Sequence, residues 1–261
     1  MKNNQTCLLP SKNVETDSSG IYIGKLPKTI LFELRNIIDE LINTDEEKYN
    51  LMGIDEYRLI QLEVQNNIIS AGYPTKIFKS VQRQIEDYFG SSELLIQSNL
   101  QFRASRPISP ENECIGWHRE SFYGSGKYSV NMWTPIRGVN KDNSLRYIPE
   151  SHLLHNENIN ICIEEDSITK RFSTGHKLGF LYKNQIISDG VDLKKAKPLP
   201  PKIGQFSLFP GELVHGSAIN KTEKIRISID FSIIRKKDWD KSFEKKSHFA
   251  SDGKPLFIEI E

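Results

Sequence analysis

"FPGELVHGSAINKTEKIRISIDF", Phe209 to Phe231, is the stretch on which the fold of this chain turns. Its second half alternates. Ile225, Ile227, Ile229 and Phe231 fall on one face of an extended strand, and Lys224, Arg226, Ser228 and Asp230 on the other. The apolar face has to be buried against a core. The polar face has two uses open to it: the wet side of an edge strand, or the lining of a cavity in which Arg226 holds an anion. Upstream sits one histidine, His215, followed by the small residues Gly216 and Ser217.

On the N-terminal side of this stretch, from residue 94 onward, the chain has the same texture. "ELLIQSNLQFRAS" (93–105), "KYSVNMWTPI" (127–136), "NSLRYIP" (143–149), "KLGFLY" (177–182) and "IGQFSLF" (203–209) are short and β-rich, parted by Gly, Pro, Asn and Asp. Before them the period is helical. "PKTILFELRNIIDELIN" (27–43) places Ile30, Leu34, Ile37, Ile38, Leu41 and Ile42 on one stripe behind Pro27. "TKIFKSVQRQIEDYFG" (75–90) does the same with Ile77, Val81, Ile85, Tyr88 and Phe89, and Gly90 supplies a stop. Helices followed by many short strands predict a mainly β protein with flanking α-helices, its core an antiparallel double-stranded β-helix of the jelly-roll or cupin-like kind. The expected organisation is one domain over 1–261: a helical flank at 1–93 with a loose polar start over 1–20, a jelly-roll core at 94–236, and a tail at 237–261. An excursion over 155–200 inside the core is expected to serve as a lid or rim.

Composition narrows the partners. The 261 residues are 37% hydrophobic and 26% charged, with a net charge of +1. That fits a globular core and gives no electrostatic case for nucleic acid. No run approaches the roughly 20 apolar residues of a membrane span, and the N-terminus lacks a signal-peptide core. Cys7, Cys114 and Cys162 match no zinc spacing and read as free thiols, so the expected setting is the cytoplasm.

"GWHRE" (116–120) puts His118 and Glu120 two residues apart, on one face if the segment is extended. His215 follows 97 residues after His118. Two histidines and one carboxylate, spaced as HxE and a distant His, form the pattern of a non-haem iron site in which three ligand positions stay open. Arg226, on the polar strand face, and Ser217, two residues after His215, are groups able to bind the far carboxylate of a dicarboxylic acid, the guanidinium fork supplying geometry as well as charge.

Four segments in order, "WHRE", "NMWTPI", "NSLRYIPESH" and the opening stretch, resemble the phytanoyl-CoA dioxygenase-like group of Fe(II)/2-oxoglutarate oxygenases over residues 94–236. The resemblance implies that His118, Glu120 and His215 bind Fe(II), that Ser217 and Arg226 anchor 2-oxoglutarate, and that Trp133 lines the cosubstrate site. It implies oxidative decarboxylation of 2-oxoglutarate with O2, giving succinate and CO2 and hydroxylating a C–H bond of a small-molecule substrate, with desaturation, epimerisation and ring closure open to the same chemistry. It also implies that the polar face of the last strand looks inward at Arg226 and Ser228, with Lys224 and Asp230 solvated near the strand ends. Two departures stand out: Glu120 where the group usually has Asp, and "PESH" where it usually has Pro-Gly-Ser-His. A carboxylate at position 120 speaks against a halogenase. A non-catalytic jelly-roll binding protein and a cupin-like metal-dependent isomerase are the alternatives; neither needs Arg226 and Ser217 placed for a dicarboxylate.

Candidate substrate contacts are Gln101 and Arg103 on one strand face, Phe122 and Tyr123 as a roof over the metal motif, Asn131 beside Trp133, and Arg146 before the PESH turn. Trp117 and Arg119 alternate away from the metal. His152 reads as structural, like His155; His176 and His248 read as surface residues. Arg103, Arg106, Arg137 and Arg146, with Lys170, Arg171 and Lys177 of the excursion, are expected to ring the mouth and favour a small anionic substrate.

Overall fold

The computed structural model describes residues 7–42, 46–107, 116–123, 127–163, 185–242 and 255–260. Cys114, His176, His248, "KLGFLY" and the cations Lys170, Arg171 and Lys177 lie outside them, as does the side chain of Tyr123.

In chain order the elements are β1 (Tyr22–Lys25), α1 (Lys28–Leu41), α2 (Glu46–Leu51), α3 (Ile54–Ser70), α4 (Tyr73–Phe89), β2 (Leu94–Gln97), β3 (Gln101–Ser105), β4 (Val130–Arg137), β5 (Arg146–Tyr147), β6 (Asn160–Ile163), β7 (Gln185–Asp189), β8 (Lys197–Pro198), β9 (Gln205–Pro210), β10 (His215–Gly216), β11 (Arg226–Arg235), α5 (Lys236–Ser242) and β12 (Phe257–Glu259). The large sheet is antiparallel, in the order β1-β9-β4-β11-β2-β12, with β3 also on β11. β11 is its spine. One edge pairs with β4 throughout; the other pairs with β3 through Arg226–Asp230 and with β2 through Ile233–Arg235. The β segment 93–105 is therefore one strand path broken at 98–100, where the Gln97 side chain accepts the Ser232 N–H at 2.9 Å.

The alternation of the opening stretch holds. Ile225, Ile227, Ile229, Phe231 and Ile233 join Phe102, Val130, Met132, Ile136, Phe206 and Leu208 in one core with Leu34, Ile38, Val64, Ile68, Ile77, Phe78 and Ile85 of the helices. Each such side chain, fully buried, contributes about 1.5–3 kcal/mol of transfer free energy, which seats the helical layer on this face only. α4 ends as its sequence predicts, on Gly90 in the left-handed conformation (φ 60°). α3, which no apolar run announces, covers the free edge of β3: Gln65 and Gln61 accept the Phe102 and Ala104 amides at 3.0 and 3.1 Å.

The opposite face meets a smaller sheet, β10-β5-β8. The short segment Trp117–His118 extends it. His118 and His215 exchange backbone hydrogen bonds of 2.9 and 3.0 Å, and Ile187 of β7 donates to the Trp117 carbonyl at 2.8 Å, bringing in the β6–β7 pair. Ile21, Trp133, Tyr147, Leu199, Phe209 and Leu213 fill the space between the sheets. This is the double-stranded β-helix the strand pattern predicts.

Three expectations change. The excursion is no simple lid, because β8 within it pairs with β5 of the smaller sheet and its β6–β7 pair is tied to Trp117 by a backbone hydrogen bond. The N-terminal flank is not loose over its described part: Leu8 and Ser19 are buried and β1 forms a sheet edge. The tail adds β12 to β2. Short edge strands carry too little apolar alternation to be read locally; pairing with an existing edge creates them.

A candidate metal centre

His118 stands on the strand-like bridge to β10, and His215 on β10 itself. Glu120 is not extended beside His118. It opens a 3-10 turn, Glu120–Tyr123, and its amide donates to the Gly211 carbonyl at 2.9 Å. The turn arises because Gly211 lies close beneath it: a Cβ there would stand 2.5 Å from Ser129 Oγ and 3.3 Å from Glu120 Cβ. The carboxylate nevertheless swings back to both histidines. Its Oε1 lies 3.2 Å from His215 Nε2 and 3.8 Å from His118 Nε2, and one ligand atom from each of the three residues falls within 4.8 Å of the others.

The tautomers follow from chemistry. His118 Nδ1 lies 2.7 Å from the Gly116 carbonyl, and His215 Nδ1 lies 2.8 Å from the Leu213 carbonyl. A carbonyl only accepts, so both Nδ1 atoms carry hydrogen and, in the neutral rings, both Nε2 atoms present lone pairs. Phe209 holds the His215 ring edge-on at a centroid distance of 5.1 Å. Burial, then the neighbouring His215, lower the proton affinity of His118. Burial alone pushes the Glu120 carboxyl up, but the two histidines outweigh it and hold the group well below the usual carboxylate range. Asn131 donates to Glu120 Oε1 at 3.1 Å. Three acceptors facing one point, two of them imidazole Nε2 atoms left free by their tautomers, constitute a donor set that fits a divalent transition-metal ion.

Beyond the triad, β11 carries Arg226 and Ser228 on the same inner face, both buried, with Arg226 Nη1 donating to Ser228 Oγ at 2.6 Å. Ser217 is half-buried, and no described hydrogen bond joins it to Arg226. Trp133 is on the inner face of β4, opposite Asp230.

The other sequence candidates are dispersed. Gln101 and Arg103 face inward, opposite Asp230 and Ser228. Asn131 is there too, but gives its amide to Glu120. Phe122 does not roof the triad; it packs with Trp117, Ile148, Ile187 and Val214 on the outer face of the smaller sheet. Arg146 lies opposite Gly216, one residue from the Tyr147–His215 pair, and so turns outward to donate to the Ala196 carbonyl at 2.9 Å. Nor do the described cations ring a mouth. Arg106 is buried against the Tyr49 and Met52 carbonyls, and Arg137 pairs with Asp39 of α1. Their side chains complete helix and loop ends, a use that charge counting does not register. Asp230, expected in solvent, is half-buried beside Arg103.

Two residues outside the predicted set matter for position. Arg119 turns away from the metal, as alternation predicts, but is fully buried. It binds Glu212 at 3.1 Å, Asn156, and the Ser151 and Leu154 carbonyls. His152 is buried in the PESH turn, not among the converging ligands.

The sequence matches the family described as phytanoyl-CoA dioxygenase (PhyH) over residues 54–228, a span that begins inside the helical flank. No curated protein matches it. Among solved structures, EvdO2 from Micromonospora carbonacea var. aurantiaca, complexed with 2-oxoglutarate, superposes with a TM-score of 0.57 at 14% identity, covering 84% of this chain and 87% of that one. The non-heme alpha ketoglutarate dependent carbocyclase SnoK, from nogalamycin biosynthesis, gives 0.53 at 13% identity, covering 98% and 97%. At these identities the likeness is one of fold.

Proposed function

Because the chain belongs to the phytanoyl-CoA dioxygenase family, we propose that it is a non-haem Fe(II) oxygenase that consumes 2-oxoglutarate and O2 and hydroxylates a C–H bond of a small molecule. Residues 1–261 act as one catalytic domain. One oxygen atom enters the substrate, the other enters succinate, and CO2 leaves. The observation that carries this reading is the convergence of His118 Nε2, His215 Nε2 and Glu120 Oε1, with both imidazole tautomers fixed by backbone carbonyls.

In this reading His118, Glu120 and His215 would hold the iron. The bound metal supplies the redox chemistry; the protein supplies position and a closed site. Arg226 takes the far carboxylate of 2-oxoglutarate from the buried inner face of β11, with Ser228 orienting the guanidinium and Ser217 near the entrance of the strand. Trp133, Tyr147 and Phe209 exclude water around the chain of the cosubstrate. Asn131 keeps the Glu120 carboxylate turned towards the histidines. A metal-only isomerase or a binding module gives a buried inward Arg226 no task.

The test is anaerobic titration with Fe(II) and then 2-oxoglutarate, followed by visible charge-transfer absorption. Wild type develops the band; His118→Ala and His215→Ala do not. Arg226→Ala raises the 2-oxoglutarate Kd by roughly 30-fold to several thousand-fold, the usual cost of about 2–5 kcal/mol for removing one partner of a desolvated charge pair. An unchanged Kd in Arg226→Ala returns that residue to a structural role.

A further inference from the structure

We propose that Arg103 and Asp230 form the substrate-recognising pair of this cavity, and that they take a neutral substrate through two neighbouring hydroxyl groups. The inference rests on the oxygenase reading above and specifies what that site accepts.

The pair lies on the inner face. Asp230 follows Arg226 and Ser228 at the strand's period of two and stands opposite Gln101 on β3 and Trp133 on β4; Arg103 stands opposite Ser228. The two are therefore diagonal neighbours across the β3–β11 ladder. Exposure along this face of β11 is local to Asp230, since Ser232, the next residue of the face, is 2% exposed. Ser228 and Arg226 are buried, whereas Asp230 and Arg103 are half-buried. The face is closed where the cosubstrate would be anchored and open where a substrate would enter.

The hydrogen-bonding capacity of the pair is unspent. Arg103 Nε lies 3.6 Å from Asp230 Oδ1, close enough for mutual neutralisation and beyond a hydrogen bond. Among the described residues nothing donates to either carboxylate oxygen of Asp230, and the Arg103 guanidinium donates to no acceptor. A guanidinium with five donors beside a carboxylate with about four acceptor sites, both half-buried, is an expensive arrangement to leave bare.

Charge selects the ligand class. The two groups offset each other, so an anion bound to Arg103 would face Asp230, and an ammonium bound to Asp230 would face Arg103. Burial, with Glu120 adding to it, already opposes negative charge at Asp230. Among the described residues Arg106, Arg137 and Arg146 are engaged elsewhere and add no cation to the pair. A hydroxyl both accepts and donates. Two adjacent hydroxyls accept from Arg103 and donate to Asp230 without parting the ion pair, and they shed far less hydration than a zwitterion does.

The experiment uses full-length protein loaded anaerobically with Fe(II) and 2-oxoglutarate, as wild type, Asp230→Asn, Arg103→Leu and Arg103→Lys. The charge-transfer band is read first. Its absence from wild type overturns the oxygenase reading and this inference with it; its presence in the variants establishes that they are folded and loaded. Calorimetric binding of methyl glycosides, their singly deoxygenated analogues, α-amino acids and dicarboxylates is then compared. The expected result is that at least one glycoside with a vicinal diol binds wild type. Its affinity falls by about 10- to 100-fold in Asp230→Asn and Arg103→Leu, and less in Arg103→Lys; removing one hydroxyl of the diol reproduces the loss. Binding of no glycoside, equal binding by wild type and variants, or preference for amino acids or dicarboxylates overturns the proposal while leaving the band, and the oxygenase reading, in place.

Discussion

At the scale of single residues, the candidate metal centre is governed by the groups that its side chains touch. The Gly116 and Leu213 carbonyls fix which imidazole nitrogen is free, and Asn131 turns the Glu120 carboxylate. Such partners typically change metal affinity by about 10–100-fold. Asn131→Ala is accordingly expected to weaken Fe(II) binding by about that factor in anaerobic titration, with a melting temperature near that of wild type. Arg119 acts on stability instead. Removing it strands Glu212, which is 2% exposed, and breaking a buried pair on one side typically costs about 3–5 kcal/mol. Arg119→Leu should show that loss as a lower urea midpoint, and Arg119→Leu/Glu212→Leu should recover part of it. Equal stability of the two variants would mean that the backbone carbonyls, not Glu212, dominate.

Among the elements, the PESH turn shows how a left-handed position is held by a residue other than glycine. Glu150 is the described non-glycine residue with positive φ, at 59°. The turn is over-determined around it. The Glu150 amide donates to Ser19 Oγ at 3.0 Å, Ser151 Oγ bonds Ile148 and Val214, and Arg119 holds the Ser151 carbonyl. A left-handed L-residue costs about 1–2 kcal/mol, and glycine gives back roughly 0.5–1 kcal/mol in chain entropy. Glu150→Gly should therefore stabilise by up to about 1 kcal/mol and raise the melting temperature by about 2–4 °C. A lower melting temperature would assign the Glu150 side chain a stabilising contact of its own.

For the whole molecule, buried phenols as well as apolar side chains hold the helical layer together and tie it to the segment before β1. The Tyr88 hydroxyl donates to the Gly20 carbonyl at 2.8 Å, and Tyr73 of α4 donates to Glu33 of α1 at 2.9 Å. Burial, then Glu33, push Tyr73 up to about 12, and burial pushes Tyr88 well above its ordinary value. A folded-state value above the unfolded one means that this stability is complete below the unfolded value near 10 and is lost as pH rises towards 12. Urea midpoints should fall across that interval, and Tyr73→Phe should make the fall shallower while phenolate absorbance shows one late-titrating tyrosine fewer. An unchanged slope would remove Tyr73 from the alkaline transition. No helix among the described residues is long and apolar enough to cross a membrane.

The sequence by itself determined what period and chemistry encode locally. The alternation of 224–231 assigned Arg226–Phe231 of β11 to their faces, helical stripes located α1 and α4, and HxE with a distant His selected the three converging side chains. The tertiary structure decided everything that depends on what lies opposite. Glu120 reaches the histidines from a turn because Gly211 sits beneath it, Ser228 rather than Ser217 partners Arg226 because it shares the strand face, and Asp230 is half-buried because β3 and β4 flank it on both sides. Arg106, Arg137 and Arg146 leave the mouth for carbonyls and an aspartate that lie 54, 98 and 50 residues away in sequence. A strand's period fixes the direction of a side chain, but its burial and partner are set by contacts between segments far apart in the chain, which no local pattern contains.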